Sequence, residues 1–488
     1  MTGPTKLARR TLAAFGVAAL AVVGVASAAT ALPGPDQPGA PTSGSLTVNK
    51  YKGAPTPTPN PADLLSGVEF VVTPVGTLEG GTCTAIDTAT FDGWAGLDAL
   101  FATAPAAPAG GYCLLPTQTV EETANGTATF EDLDLGVYYV QEGADNGNNN
   151  IVSKVPSFYV SIPLPSSNDW IYDVVTNPKN AVVNQPSKTI SEAPGGVVVG
   201  STVTWNLTVP VPVLNNDELF TQAVITDVLH ASLSYTSSVL TLNGTPLVEG
   251  ADYTVDGAGV TWTFTPAGRA KLDAAAADTT ADVIAVQLVT RVDEVTADGI
   301  VPNEDYSSTF NGTTVPGEVT PYTYWGQLHV TKNDGAGTAL QGAEFQVFDA
   351  AVAGVCPAEV PATGAVATGT SDAAGVVQWA GVTPTSPLGL WVANSSDGPL
   401  VDPSHVYCVY ETAVPAGYTA QPFTTAQTIT PGSSNAVVLA VSNPQVQGPD
   451  LPLTGAGGTL AMTVGGLALI GVGVGTVVVT RRRRRTAA

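Results

Sequence analysis

The chain has 488 residues with 17 basic and 41 acidic side chains, a formal net charge of −24. Eight of the 17 bases lie at the two ends, as Lys6, Arg9, Arg10 and Arg481 to Arg485, so the interior sets nine bases against 41 acids. Such a surface repels nucleic acid and argues against DNA or RNA as a partner, and no HExxH, GxSxG elbow or phosphate-cradling loop suggests the common hydrolase or nucleotide chemistries.

In chain order, residues 1–31 read as a secretory signal peptide: Lys6, Arg9 and Arg10, an apolar run from Leu12 to Val25, then small residues with cleavage after Ala31 or after Ala28. About 420 residues then remain before the tail, enough for roughly three domains. Short alternating runs such as "SLTVNKYK", "VYYVQE", "TVTWNLTV", "VTWTFTP" and "YCVYET", punctuated by Gly, Pro and Asn, predict an all-β chain of sandwiches. The first module is expected at 32–180 and closes on "DWIYDVVTNPKN" (169–180). The second, 181–324, carries "NQPSKTI" and "VITDVL", with the best helix candidate, "GRAKLDAAAAD", at 268–278. The third, 325–447, opens at "YTYWG" and contains "YCVYETAVPAGY" at 407–418. The tail, 448–488, holds "LPLTG", an apolar run from Leu460 to Val479 and the arginine block, a membrane-spanning pattern with a cytoplasmic basic end.

Four cysteines in an exported chain predict disulfides. Of three possible pairings, Cys83 with Cys113 and Cys356 with Cys408 keeps each bond inside one module. Zinc is not expected, because no CxxC spacing exists and only His230, His329 and His405 are available. The "DNGNNN" stretch at 145–150 has oxygen ligands suited to calcium but reads more simply as a loop, so neither metal nor cofactor is expected.

A weak repeat organises the chemistry. "GSLTVNK" (44–50) and "GQLHVTK" (326–332) share a glycine, an alternating strand and a lysine at the seventh position, and their modules end on "VVTNP" and "AVSNP". Each module therefore offers a lysine in its first strand, an acid in the middle and an asparagine near its last strand. First and last strands of a sandwich can be neighbours. A buried amine loses its proton readily and a buried carboxyl keeps its own, so the amine can attack the carboxamide while the acid relays the proton, giving a Lys–Asn isopeptide bond with loss of ammonia. The competing reading, ordinary solvated lysines and strand-edge acids, weakens as the same order recurs.

Three motifs carry a family resemblance. "LPLTG" with its apolar run and arginines resembles a Gram-positive sortase sorting signal, implying cleavage between Thr454 and Gly455 after recognition of Leu451 and Pro452. "YCVYETAVPAGY" resembles the E-box of pilin and collagen-adhesin B-type domains, and Trp170, Val174, Pro178 and Lys179 have the spacing of the pilin motif of sortase-polymerised shaft pilins. The chain as a whole resembles a major fimbrial shaft subunit, of actinomycete type from its alanine-rich, lysine-poor composition.

That resemblance implies three immunoglobulin-like, collagen-adhesin-type sandwiches in a rod. The isopeptide sets would be Lys332, Glu411 and Asn443 in the third module, and Lys188, Asp227 and Asn303 in the second, with Asn311 as the alternative acceptor. In the first they would be Lys50, Glu142 and Asn177, with Lys52 close by and the E-box tail replaced by "EGADNGNNN". It further implies that Lys179, exposed in a groove, is joined to Thr454 of another copy by a pilin-specific sortase. A housekeeping sortase, minor tip and base pilins and peptidoglycan would complete a wall-attached fimbria. A monomeric wall-anchored adhesin would share all of this except the need for Lys179; a tip or basal pilin is a related possibility, and a secreted enzyme the remotest alternative.

Overall fold

The computed structural model describes residues 32–446 except 54–57, 167–168, 215–217, 258–259, 277–281, 351–353 and 421–423. The expected signal peptide and sorting signal, with Leu451, Pro452, Thr454 and Gly455, lie outside the described residues. Those residues form two compact units, one of residues up to 327 with 389–405 and 429–436, the other of 328–388, 406–428 and 437 onward.

The first unit begins with a sandwich. Its first strand, Ser43–Asn49, lies between Thr127–Asp134, antiparallel, and the late strand Asp173–Thr176, parallel. The facing sheet is built on Val68–Glu79, Gly136–Asp145 and Phe158–Ile162. Alternation puts Leu46, Val48, Phe70, Val72, Phe130, Tyr138, Val140 and Val174 into one core. The run Gly136–Val140 is buried without alternation because its other side is also covered. Val137 and Tyr139 pack with Leu97 and Leu100 of the insertion between Cys83 and Cys113, which are joined by a disulfide.

First and last strands stay together past the core. Tyr51–Lys52 runs parallel to Lys179–Val182, with Lys179 opposite Tyr51 and Asn180 opposite Lys52. The glycine of the repeat explains how they come so near. A Cβ on Gly44 would lie 2.2 Å from the Tyr172 carbonyl oxygen, and one on Gly326 would lie 2.1 Å from that of Thr430. Both carbonyls lead into the late strand of their own segment.

The second sandwich pairs Ser187–Ile190, Thr202–Pro210, Val283–Val292 and Leu233–Leu242 in one sheet, and Thr261–Phe264, Ala223–Asp227 and Tyr306–Phe310 at the centre of the other. Trp205, Leu207, Ile225, Trp262, Phe264, Leu288 and Phe310 fill it. Its helix, Pro266–Ala276, starts on a proline, and Thr265 accepts from Gly268 N at 3.1 Å. Val152, Ala181 and Val183 of the first sandwich's end join this core, so the joint is packed. The expected boundary at 324/325 falls inside one continuous strand, Tyr322–Asn333.

The second unit is built on a five-stranded sheet with His405–Ala413 beside Glu344–Asp349. Leu328, Val330, Phe345, Val347, Tyr407, Val409 and Val441 are buried. On the outer side of the E-box strand, Cys408 and Tyr410 pack with Phe348 beneath the Cys356–Cys408 disulfide, so "YCVY" is buried on both faces.

Gly44→Ala is expected to lower the stability of the first sandwich by about 1–3 kcal/mol, since backbone must move to admit one methyl. Gly111→Ala, with open space around its Cβ position, should change little. Denaturant midpoints of the two variants check the contrast.

Candidate functional site

Strand parity decides which side chains meet. Continuing the inward positions from Leu46 and Val48 reaches Lys50; from Leu328 and Val330 it reaches Lys332; and Lys188 shares its inward face with Ile190. All three amines are buried. Desolvation lowers each pKa, opposed by the neighbouring acid, and brings Lys50 from 10.5 to about 8.

In the first sandwich Lys50 Nζ lies 2.8 Å from Glu142 Oε2 and 2.5 Å from Asn180 Oδ1, while Asn180 Nδ2 donates to Glu142 Oε1 at 2.6 Å. The carboxamide beside the amine is thus that of Asn180 and not of Asn177, the residue expected from "VVTNP". Asn177 accepts instead from Asn49 Nδ2 at 3.1 Å. Val174, Thr176, Pro178 and Asn180 share parity and are buried, whereas Asn177 is out of phase with them. Lys52 is exposed and takes no part.

In the second, Lys188 Nζ lies 2.7 Å from Asp227 Oδ2 and donates to the Asn303 carbonyl at 3.1 Å. Burial raises the Asp227 pKa, while Lys188 and then Asn303 pull the other way. The Asn303 side chain is close enough to exert that pull, yet neither its Oδ1 nor its Nδ2 makes a well-formed hydrogen bond. Asn311 is a hairpin residue at φ 47°, its Oδ1 occupied by Thr221 N at 2.7 Å and Gln222 N at 3.2 Å. It does not reach Lys188's pair.

In the third, Lys332 Nζ is 3.7 Å from Glu411 Oε1 and donates to Val441 O at 3.3 Å. Asn443 Nδ2 donates to Glu411 Oε2 at 3.0 Å, and Asn443 Oδ1 makes no hydrogen bond.

An aromatic ring stands directly across the strand pair from each acid: Phe70 opposite Glu142, Tyr306 opposite Asp227, Phe345 opposite Glu411. The Lys188 amine is 4.3 Å from the Tyr306 ring centroid and the Lys50 amine 5.6 Å from that of Phe70. Sequence reasoning passed over these rings, although "GVEF" (67–70) and "GAEF" (342–345) repeat. Water is thereby excluded where an amine, an acid and a carboxamide converge, which is what acyl transfer from amide to amine needs.

Lys179 is not exposed in a groove as expected. It is 8% exposed, with Nζ 5.9 Å from the Tyr51 ring centroid, because its strand lies against the extension of the first. Burial lowers its pKa, and Asp63 opposes this. Of the other motif residues, Val174 is in the core and Trp170 packs on Trp94 with centroids 5.3 Å apart. In the "DNGNNN" loop Asn149 donates to Asp145 at 2.6 Å, while Asn146 donates to Glu122, outside the loop, at 2.7 Å.

Asn180→Ala should destabilise the first sandwich by roughly 2–4 kcal/mol, since it takes a hydrogen-bond partner from both members of the buried Lys50–Glu142 pair. Asn177→Ala should cost under about 1 kcal/mol. Urea titrations of the two chains give the comparison.

The comparisons agree with this architecture. A profile for "Gram-positive pilin subunit D1, N-terminal domain" matches residues 49–181. Fimbrial subunit type 2 of Actinomyces naeslundii is 31% identical, covering 98% of this chain and 97% of its own. Fimbrial subunit type 1 of Actinomyces viscosus is 27% identical over 86% of this chain and 85% of its own. The full-length major pilin SpaD of Corynebacterium diphtheriae superposes with a TM-score of 0.59 at 25% identity, covering 83% of this chain and 98% of that one. The chain is therefore a structural protein that belongs to the Gram-positive major pilins, the fimbrial subunits.

Proposed function

We propose that the chain is the shaft subunit of a fimbria polymerised head to tail by a sortase and locked internally by three Lys–Asn amides, Lys50–Asn180, Lys188–Asn303 and Lys332–Asn443. The observation that carries this reading is the recurrence of a buried lysine, acid and asparagine in each of three sandwiches. Glu142, Asp227 and Glu411 are the proton-relaying acids. By the proposed chemistry a sortase cysteine attacks the Thr454 carbonyl and releases Gly455 onward, and the amine of Lys179 from another copy resolves the acyl-enzyme. Such a heterologous linkage does not close and so extends as a fibre. A housekeeping sortase would pass the last subunit to peptidoglycan, and minor pilins would occupy tip and base of a fibre serving adhesion.

A second reading, a wall-anchored monomeric adhesin, draws on the burial of Lys179 under Tyr51. The two are separated by immunoblots of cell-wall extracts boiled in SDS. The proposal expects a high-mass ladder from the wild type that collapses to monomer in Lys179→Ala. Monomer in both would establish the adhesin.

A further inference from the structure

The first sandwich differs from the others at the carboxamide oxygen. Asn180 Oδ1 accepts from the backbone N–H of Val155 at 2.7 Å, the same N–H lying 3.3 Å from Glu142 Oε2. In the other two sandwiches Asn303 Oδ1 and Asn443 Oδ1 accept no hydrogen bond. The donor also fixes the carboxamide's orientation, since a backbone N–H can face only the oxygen; the nitrogen is left to Glu142 Oε1, 2.6 Å away.

Val155 is free to donate for local reasons. The strand Ile151–Ser153, paired with Lys179–Val182, stops two residues before it, and Pro156 biases the residue before it toward extended backbone. Lys154 Nζ donates to Gly143 O at 2.5 Å, tying this turn to the strand that carries Glu142.

We propose that the Val155 N–H is an oxyanion donor for closure of the Lys50–Asn180 bond, an inference resting on the isopeptide reading above. The Lys50 ammonium passes a proton to Glu142 Oε2, and the neutral Nζ forms a bond to Asn180 Cγ. The carbonyl electron pair moves onto Oδ1, where the Val155 N–H meets the developing negative charge. Glu142 returns the proton to Nδ2 through Oε1, the Cγ–Nδ2 bond breaks and ammonia leaves. The remaining proton of the newly bonded nitrogen passes to Glu142, so that an ammonium, a carboxylate and a carboxamide become a secondary amide, a carboxylic acid and NH3. Glu142 thus serves the attacking and leaving nitrogens, while the oxygen is served by backbone. A preorganised donor of this kind is worth a factor of about 100 or more in rate.

The test is an amide-to-ester substitution at residue 155, installing the α-hydroxy analogue of valine in the full chain during cell-free synthesis. Cross-linked peptides are quantified by mass spectrometry over time. The Lys50–Asn180 cross-link should form about 100-fold more slowly, while Lys188–Asn303 and Lys332–Asn443 form at the wild-type rate and report that the chain has folded. A Lys50–Asn180 cross-link that forms in the ester chain at its wild-type rate would overturn the proposal. Absence of the Lys50–Asn180 cross-link from the wild type itself would overturn the underlying reading and this inference with it. Should the ester chain not fold, hydrogen exchange in Lys50→Ala, which cannot bond, decides instead. Adding Asn180→Ala should speed exchange of the Val155 amide on the order of 10-fold, and unchanged exchange would overturn the contact.

Discussion

Lys50, Lys188 and Lys332 each carry an amine into a sandwich core, where an unpaired charge costs several kcal/mol even after relaxation. Everything around them answers that constraint. An acid arrives from the facing sheet, an asparagine from near the end of the module, and an aromatic ring in register with the acid closes the site to water. An ion pair alone is a poor use of such burial, since well-packed apolar side chains serve stability as well or better. Conversion to a neutral amide removes the buried charges, so the proposed chemistry resolves the electrostatic problem that the fold creates.

The same bond would act on the unfolded chain. Lys50 and Asn180 are 130 residues apart and Lys188 and Asn303 are 115 apart. By the loop-closure argument used for disulfides, each closure removes about 5 kcal/mol of unfolded-state entropy. In the first sandwich it would also join parallel neighbouring strands at the beginning and end of the module, so that tension would bypass the rest of the sheet. The disulfides serve other places: Cys83–Cys113 holds the insertion over Leu97 and Leu100, and Cys356–Cys408 covers the outer face of the E-box strand.

Much of this was legible in the sequence because period-two alternation is a strong signal. The Gly-to-Lys repeat places glycine, two apolar residues and lysine on one face, and the glycine proves to be where a carbonyl crosses within 2.2 Å of a would-be Cβ. The "NP" ending shared with the third module points to Asn177, whereas counting inward positions from Val174 leads to Asn180. The burial of Lys179 was not legible, since it depends on Tyr51 arriving from far along the chain after the glycine-permitted approach. Nor was the continuity of the chain at 324/325, where a single strand runs on through the boundary that the internal repeat suggests.

The most direct measurement is the intact mass of the mature chain after reduction of both disulfides. The account predicts a mass short of the calculated value by three molecules of ammonia, one for each Lys–Asn amide. The full calculated mass would contradict it, leaving three buried ion pairs with no covalent purpose.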